Sequence, residues 1–319
     1  VVINFALEID GLSILMVFLT ALLSLLVVVF SAEESDRPNY YHTLVLAMEV
    51  GLMGVYLAAD YFLFYVMWEI TLIPMYFMIS WYGGPRRHYA AIKFLIYTHV
   101  ASLVMLIGIF AMGFESAAVN GSGVVDFSFA TVNEAMNMTG QTFQAIVFAL
   151  LFFGFMVKMP SVPFHTWLLG AMVAPTPTSA LLHSSTMVKA GVFLLVKLSP
   201  IFAVSLVPSV MVVLVGGLTF ALCSFMAISQ SNAKRVLAYS TIANLGLITA
   251  CAGVGTPEAV WAAILLIIFH AVAKSLLFLC VGTAEHHIGS RNIEDMDLLF
   301  ERMPRLARFM MLGIMCMFV

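Results

Sequence analysis

Apolar runs long enough to cross a bilayer recur along the whole chain, separated by short polar connections. The pattern predicts spans at about 11–30, 43–59, 61–82, 92–114, 143–174, 179–198, 207–229, 236–254, 259–282 and 308 onward. These runs lack the alternation of barrel strands, so helix is the expected type. Gly83-Gly84-Pro85, Asn120-Gly121-Ser122-Gly123 and Gly255-Thr256-Pro257 punctuate the connections. The run at 143–174 is too long for one straight span, and Pro160 and Pro163 interrupt it just after Lys158. Each proline removes a helix hydrogen bond, so this span is expected to be discontinuous. In lipid the freed backbone groups are tolerated only where protein or a water-filled cavity satisfies them.

Composition agrees with the pattern. Hydrophobic residues make up 62% of the 319 positions and charged residues 10%, with a mean hydropathy of +1.05, far outside the soluble globular range. The fold class is therefore all-α, a polytopic transmembrane helical bundle. Cys223, Cys251, Cys280 and Cys316 stand singly in apolar segments and show no spacing for a cluster, a zinc site or a disulfide framework. No glycine-rich nucleotide fingerprint is present. No metal or cofactor is expected in this chain, and no nucleic-acid partner. The chain begins without a Met or a basic leader and stops inside an apolar run, so it reads as a fragment of a longer protein.

Alternating the spans sorts the connections into two groups. One carries Arg37, Arg86, Arg87, Lys234, Arg235, Arg291, Arg302 and Arg305. The other, at 60, 115–142, 199–206 and 255–258, has no Lys or Arg and holds Asp60, Glu115, Asp126, Glu134 and Glu258. By the positive-inside rule the first group faces the cytoplasm, and Val1 then starts outside.

Candidate chemistry lies inside the spans. Glu49, Glu69, Lys158, Lys189 and the pair His270 and Lys274 all sit well away from span ends. A charge at the bilayer centre costs about 2.5–3.5 kcal/mol even on a lenient insertion scale. Such residues should face the bundle interior and pair with one another or with water. Burial disfavours the charged form of acids and bases alike, so these groups could load and unload protons near neutral pH. A Glu–Lys pair could act as a switch. His270 and Lys274 share a helix face and could relay a proton. The bland alternative is a set of ion pairs that only hold helices together. Lys93 and Lys197 lie near span ends and are expected to snorkel. Trp68, Trp81 and Trp167 read equally well as packing residues, and His42 and His99 as ordinary hydrogen-bonded histidines.

The segments WEITLIPMYF (68–77), VKMPSVPFHTWL (157–168), APTPTSALLHSSTMVKAGVFLL (174–195), NAKRVLAYSTIANLG (232–246) and FHAVAKSLLFLC (269–280) carry a specific resemblance. They resemble the antiporter-like membrane subunits of complex I, Mrp antiporters, F420H2 dehydrogenase and energy-converting hydrogenases. LLGAMVAPTPTSALLHSSTMVKAGVF and AEHHIGSRNIEDMDLLFERMP are most similar to the large membrane subunit of Ech-type [NiFe] hydrogenase, whereas WEITLIPMYF and KFLIYTHVASLVMLIG resemble a complex I subunit. The resemblance implies inverted five-helix repeats, the first from about 43 to 198 and an incomplete second over 207–319, with two helices upstream of Val1. It makes Glu69 the acidic partner of Lys158 on the broken helix, pairs His183 with Lys189 at the centre, and makes His270 and Lys274 the onward connection. Glu49, His165 and His99 are secondary candidates. Two departures stand out: HVAS (99–102) replaces a stretch where many relatives carry Asp, and Asn232 stands where many have an acid.

The resemblance implies a proton-translocating, or sodium-translocating, subunit of a redox-driven complex in the prokaryotic cytoplasmic membrane. Iron–sulfur clusters and a NiFe site or flavin would then sit in partner membrane and peripheral subunits. The alternatives are an Mrp-type cation/proton antiporter without a redox partner, and a purely structural scaffold.

Overall fold

The computed structural model describes residues 1–32, 36–121, 123–184, 187–202 and 206–317, without the side chains of 199–202. Parts of the spans expected at 179–198 and beyond 308 fall at 185–186 and 318–319, outside the described residues.

The described residues are mostly helical: α1 Gly11–Phe30, α2 Pro38–Leu57, α3 Tyr61–Ile70, α4 Leu72–Tyr82, α5 Arg87–Val119, α6 Phe129–Met138, α7 Gln141–Lys158 and α8 Thr166–Ala171 come first. They are followed by α9 Thr176–Ser184, α10 Met187–Phe202, α11 Leu206–Ile228, α12 Ala233–Val254, α13 Pro257–Ile288, α14 Leu299–Arg302 and α15 Pro304–Met315. Among the described residues 8 helical segments are long and apolar enough to cross a membrane, with α3–α4 and α9–α10 each counted as one. The spans expected at 43–59 and from 308 are helical as α2 and α15 but fall outside that group.

Two departures from straight helix position the buried chemistry. The first is in the span over 61–82, expected to be continuous. It is parted at Thr71, between α3 and α4. Pro74 lacks an N–H and its ring crowds the carbonyl four residues back, at Ile70, so the hydrogen-bond ladder loosens there. The Thr71 hydroxyl donates to the Trp68 carbonyl at 2.7 Å.

The second departure is the expected break after Lys158. α7 ends there, Met159 is extended, and the Val162–Pro163 peptide is cis. The freed backbone groups find protein partners, as lipid demands. Trp167 donates its indole N–H to the Val157 carbonyl at 2.8 Å. The Ser161 amide reaches Met156 at 2.9 Å, and the Val162 amide donates to the Thr219 hydroxyl at 3.1 Å.

Connections within each charge-sorted group touch one another. At the acidic end, Val2 pairs with Asp126, Leu7 with Ala58 and Asp60 with Ser128 as isolated bridges. At the basic end Asn232 pairs with Asn292, the Gly84 amide donates to Val173, and the Tyr82 hydroxyl donates to the Arg37 carbonyl. Asp60 is wholly buried, caps α3 through the Phe62 and Leu63 amides, and accepts from the Asn4 amide at 3.3 Å. The α6 helix lies in the 115–142 connection, where no helix was expected. It is capped by Ser128, whose side chain accepts from the Thr131 amide, and it buries Phe129, Val132, Ala135 and Met136.

Backbone approaches backbone closely where α11 packs on α12. A Cβ added at Gly216 would lie 2.6 Å from the Gly246 carbonyl oxygen, and one at Gly246 would lie 2.7 Å from that of Gly216. Small residues allow this approach, the usual source of helix affinity in lipid, where no hydrophobic force separates helix from solvent.

Candidate functional site

Helix α7 ends on Lys158, which lets its ammonium sit at the negative pole of that helix. The side chain is buried, with 1% exposure. Its Nζ donates to the Trp68 carbonyl at 2.8 Å and to the Thr71 hydroxyl at 3.1 Å. It also lies 3.9 Å from the centroid of the Trp68 ring, where the negative face of the indole favours a cation. The lysine, the tryptophan and the parting of the helix at Thr71 form one cradle.

Glu69 stands next to that cradle, within electrostatic reach of Lys158. Its Oε2 is 2.6 Å from Nδ1 of His99 on α5. Among the described residues Glu69 and Lys158 form no ion pair, contrary to the pairing expected from the sequence. His99 holds Glu69 instead, and the carbonyl of Trp68 together with Thr71 satisfies the lysine. The Glu69 side chain is 20% exposed and that of His99 49%, while Glu69 Oε1 is buried without a partner among the described residues, so the pair runs from the interior at Glu69 to the surface at His99.

Lys189 on α10 is fully buried and donates to the Ile267 carbonyl of α13 at 2.9 Å. Gly191, two residues further on, brings α10 against the break: a Cβ there would lie 3.0 Å from the Phe155 carbonyl oxygen. His183 on α9 is buried and stacks on Phe278 of α13, with centroids 4.7 Å apart. His270 and Lys274, one turn apart on α13, are both buried. Lys274 donates to the Ser240 hydroxyl and, at 3.3 Å, to the Leu237 carbonyl, both on α12. His270 is within electrostatic reach of Lys189, Lys274 and His183.

Both ring nitrogens of His183 and of His270 are buried with no hydrogen-bond partner among the described residues. An unsatisfied buried donor or acceptor costs about 1–3 kcal/mol, which sets these two imidazoles apart from the lysines beside them. Lys189, His183, His270 and Lys274 thus form one buried basic group at the junction of α9, α10, α12 and α13.

The secondary candidates separate. His99 joins the site through Glu69. His165 caps α8, is buried, and leaves Nδ1 unpartnered, with the Tyr239 ring 6.1 Å away. Glu49 is half-buried on α2 and makes no ion pair among the described residues. Among those residues no group of three or more His, Cys, Asp or Glu could hold a metal ion.

Two further charged residues carry more than the sequence suggested. Lys197, expected to snorkel, is paired with Asp10 at 3.0 Å and lies over the Phe129 ring. Lys234 was read as a cytoplasmic loop charge, yet it is 1% exposed and lies 3.3 Å from Glu285. Glu285 was not singled out at all. Their partnership joins the start of α12 to the end of α13, which no spacing along the chain displays.

Residues 58–318 match the family described as NADH:quinone oxidoreductase/Mrp antiporter, TM. The F(420)H(2) dehydrogenase subunit M of Methanosarcina mazei is 34% identical over 98% of this chain and 64% of its own length. The A/B subunit of a probable K(+)/H(+) antiporter from Rhizobium meliloti is 36% identical over 97% of this chain and 31% of its own. The chain thus spans less than two thirds of these relatives. Among solved structures, the Mrp complex from Dietzia superposes with a TM-score of 0.83 at 31% identity, covering 89% of this chain and 31% of the other. The archaeal membrane-bound sulfane sulfur reductase superposes with a TM-score of 0.87 at 25% identity, covering 96% of this chain and 62% of the other. The chain belongs to the transmembrane family of NADH:quinone oxidoreductase and Mrp antiporter subunits and is an integral membrane protein.

Proposed function

We propose that this chain translocates protons as one membrane subunit of a redox-driven complex, without catalysing electron transfer itself. The observation that carries the reading is a set of buried bases: Lys158, Lys189 and Lys274 are held by hydroxyls and carbonyls rather than by counter-ions, and His183 and His270 are buried among them. A base held by neutral groups can lose its proton without leaving an unpaired opposite charge behind, whereas a structural ion pair cannot. Glu69 and His99 would respond to events in a neighbouring subunit, because the pair reaches the surface at His99, and would set the charge felt by Lys158. The proton then passes to Lys189 and His183 and on through His270 to Lys274. Iron–sulfur clusters and a flavin or NiFe site belong to the partner subunits in this reading. Inverted repeats over 43–198 and 207–319 would supply one half-channel each.

The likeness to antiporter subunits supports a second reading, cation/proton exchange without a redox partner. Purification of the full-length protein with its partners separates the two. The deciding assay is proton uptake into vesicles carrying the complete complex, driven by its electron donor, or by a sodium or potassium gradient for an antiporter. Lys189→Met is expected to assemble and to lose coupled uptake. Undiminished uptake by the assembled variant would refute translocation through this site.

A further inference from the structure

At the basic end of the bundle, three helices meet around a charged cluster outside the row of bases described above. Lys234, on the first turn of α12, points inward and is 1% exposed. Its Nζ reaches Glu285 Oε2 at 3.3 Å and the Ala174 carbonyl, just before α9, also at 3.3 Å. Glu285 accepts from the Thr176 hydroxyl at 3.2 Å, and its other oxygen accepts from Arg291. Side-chain exposure rises outward, from 1% for Lys234 through 21% for Glu285 to 33% for Arg291. The cluster therefore runs from solvent to interior within one hydrogen-bonded chain.

What lies inward of it is Lys274. On α13, Glu285 is eleven residues beyond Lys274, about three helical turns, so both lie on the same face. On α12, Leu237 and Ser240, the two partners of Lys274, follow Lys234 by about one and two turns. Lys234 and Lys274 thus approach the same stretch of α12 from opposite directions. A cluster needed only to staple helix ends would gain nothing from placing a lysine fully inside, where desolvation can exceed the Coulombic return.

We propose that Glu285 and Lys234 form the port through which protons from the basic, cytoplasmic face reach Lys274. The inference rests on the translocation reading above. In the step, the Lys234 ammonium gives its proton, through Ser240 and bridging solvent, to the neutral amine of Lys274. The Glu285 carboxylate takes a proton from bulk water and restores it to the Lys234 amine. One proton leaves the aqueous phase and one arrives on Lys274; no other group changes. Arg291 remains paired with Glu285, so Lys234 can become neutral without leaving the carboxylate unpaired, and Arg291 does not itself exchange.

The test uses the complete complex in vesicles with Lys234→Arg, Glu285→Gln and, in parallel, Lys189→Met. Arginine keeps the charge and the donors but is not deprotonated in proteins, so it serves a staple and fails a relay. The expected result is that Lys234→Arg and Glu285→Gln assemble and lose coupled proton uptake by about tenfold or more. Full uptake by an assembled Lys234→Arg complex overturns the port. If that variant does not assemble, assembled Glu285→Gln decides by the same two outcomes. Loss of assembly in both assigns the cluster to structure and overturns the port as well. Lys189→Met keeps the two ideas apart: normal uptake in that variant removes translocation itself, whereas its loss beside unimpaired port variants removes only the port.

Discussion

The carboxylate of Glu69 hydrogen-bonds His99, 2.6 Å away, while the ammonium of Lys158 turns to the carbonyl of its neighbour Trp68. Two adjacent residues on α3 thus take different partners: Trp68 binds the buried lysine and Glu69 the more exposed His99. The arrangement yields a prediction. His99→Ala frees Glu69 and removes one hydrogen bond to a charged group, worth about 1.5–3 kcal/mol. The complex should assemble, with coupled proton uptake falling about tenfold, since about 1.4 kcal/mol is one decade. Vesicle uptake beside a count of assembled complex checks this.

Asp60 ties the acidic-end segments together. Asp60→Ala removes an N-cap worth about 0.5–2 kcal/mol and also releases the Asn4 amide. The expected outcome is a lower melting temperature in detergent and faster proteolysis within residues 1–9. Asp60→Asn, which keeps the cap oxygen, should recover most of the loss.

The crossing of α11 and α12 leaves no room for a side chain at Gly246. Gly246→Leu should abolish folding or assembly, well beyond the about 1–3 kcal/mol typical of overpacking, because backbone rather than flexible side chain stands in the way. Gly217, next in sequence to Gly216 and with nothing within 4 Å of its added Cβ, should tolerate leucine. Yields of monodisperse protein for the two variants give the answer.

Asp10, just before the first span, makes a pH-dependent contact with Lys197 near the end of another. Partial burial alone would raise the Asp10 pKa, but the Ser13 amide and Lys197 together outweigh it and hold the carboxyl below its usual value. A depressed folded-state pKa contributes stability above the unfolded value of 3.8, and that contribution is lost as pH falls through the lower, folded value. The Asp10 side chain is 39% exposed, so the gain stays within the roughly 0–1 kcal/mol of a surface pair. Asp10→Asn should therefore melt slightly lower than the parent at pH 7 and converge with it in acid below pH 3.8, as thermal unfolding in detergent would read.

Much of this architecture can be read from the chain. Apolar run length places α1, α5, α7 and α11–α13, and Pro160 and Pro163 announce the break behind Lys158, because backbone chemistry in lipid is local and strict. Lys158, Lys189, His270 and Lys274 stand out because charge inside an apolar run is costly wherever it points. What is not legible depends on contacts across the bundle. The resemblance implies a pairing of Glu69 with Lys158, but the hydrogen-bond partner of Glu69 is set by how α3 packs against α5. Lys234 reads as a loop charge because the positive-inside pattern counts basic residues without seeing which way they turn. The small helix α6 could have been inferred from Ser128 and the apolar spacing of Phe129, Val132 and Met136. It was obscured by the polar character of the surrounding connection.

The kink at Pro74 has one more effect. The Trp68 oxygen is claimed by two donors at once, the Lys158 ammonium and the hydroxyl of Thr71. Should the lysine swing off toward another acceptor, the alcohol stays behind and the oxygen is never left bare. Departure therefore exposes no naked backbone to the interior, and the amine can travel without the helix having to close or unwind behind it.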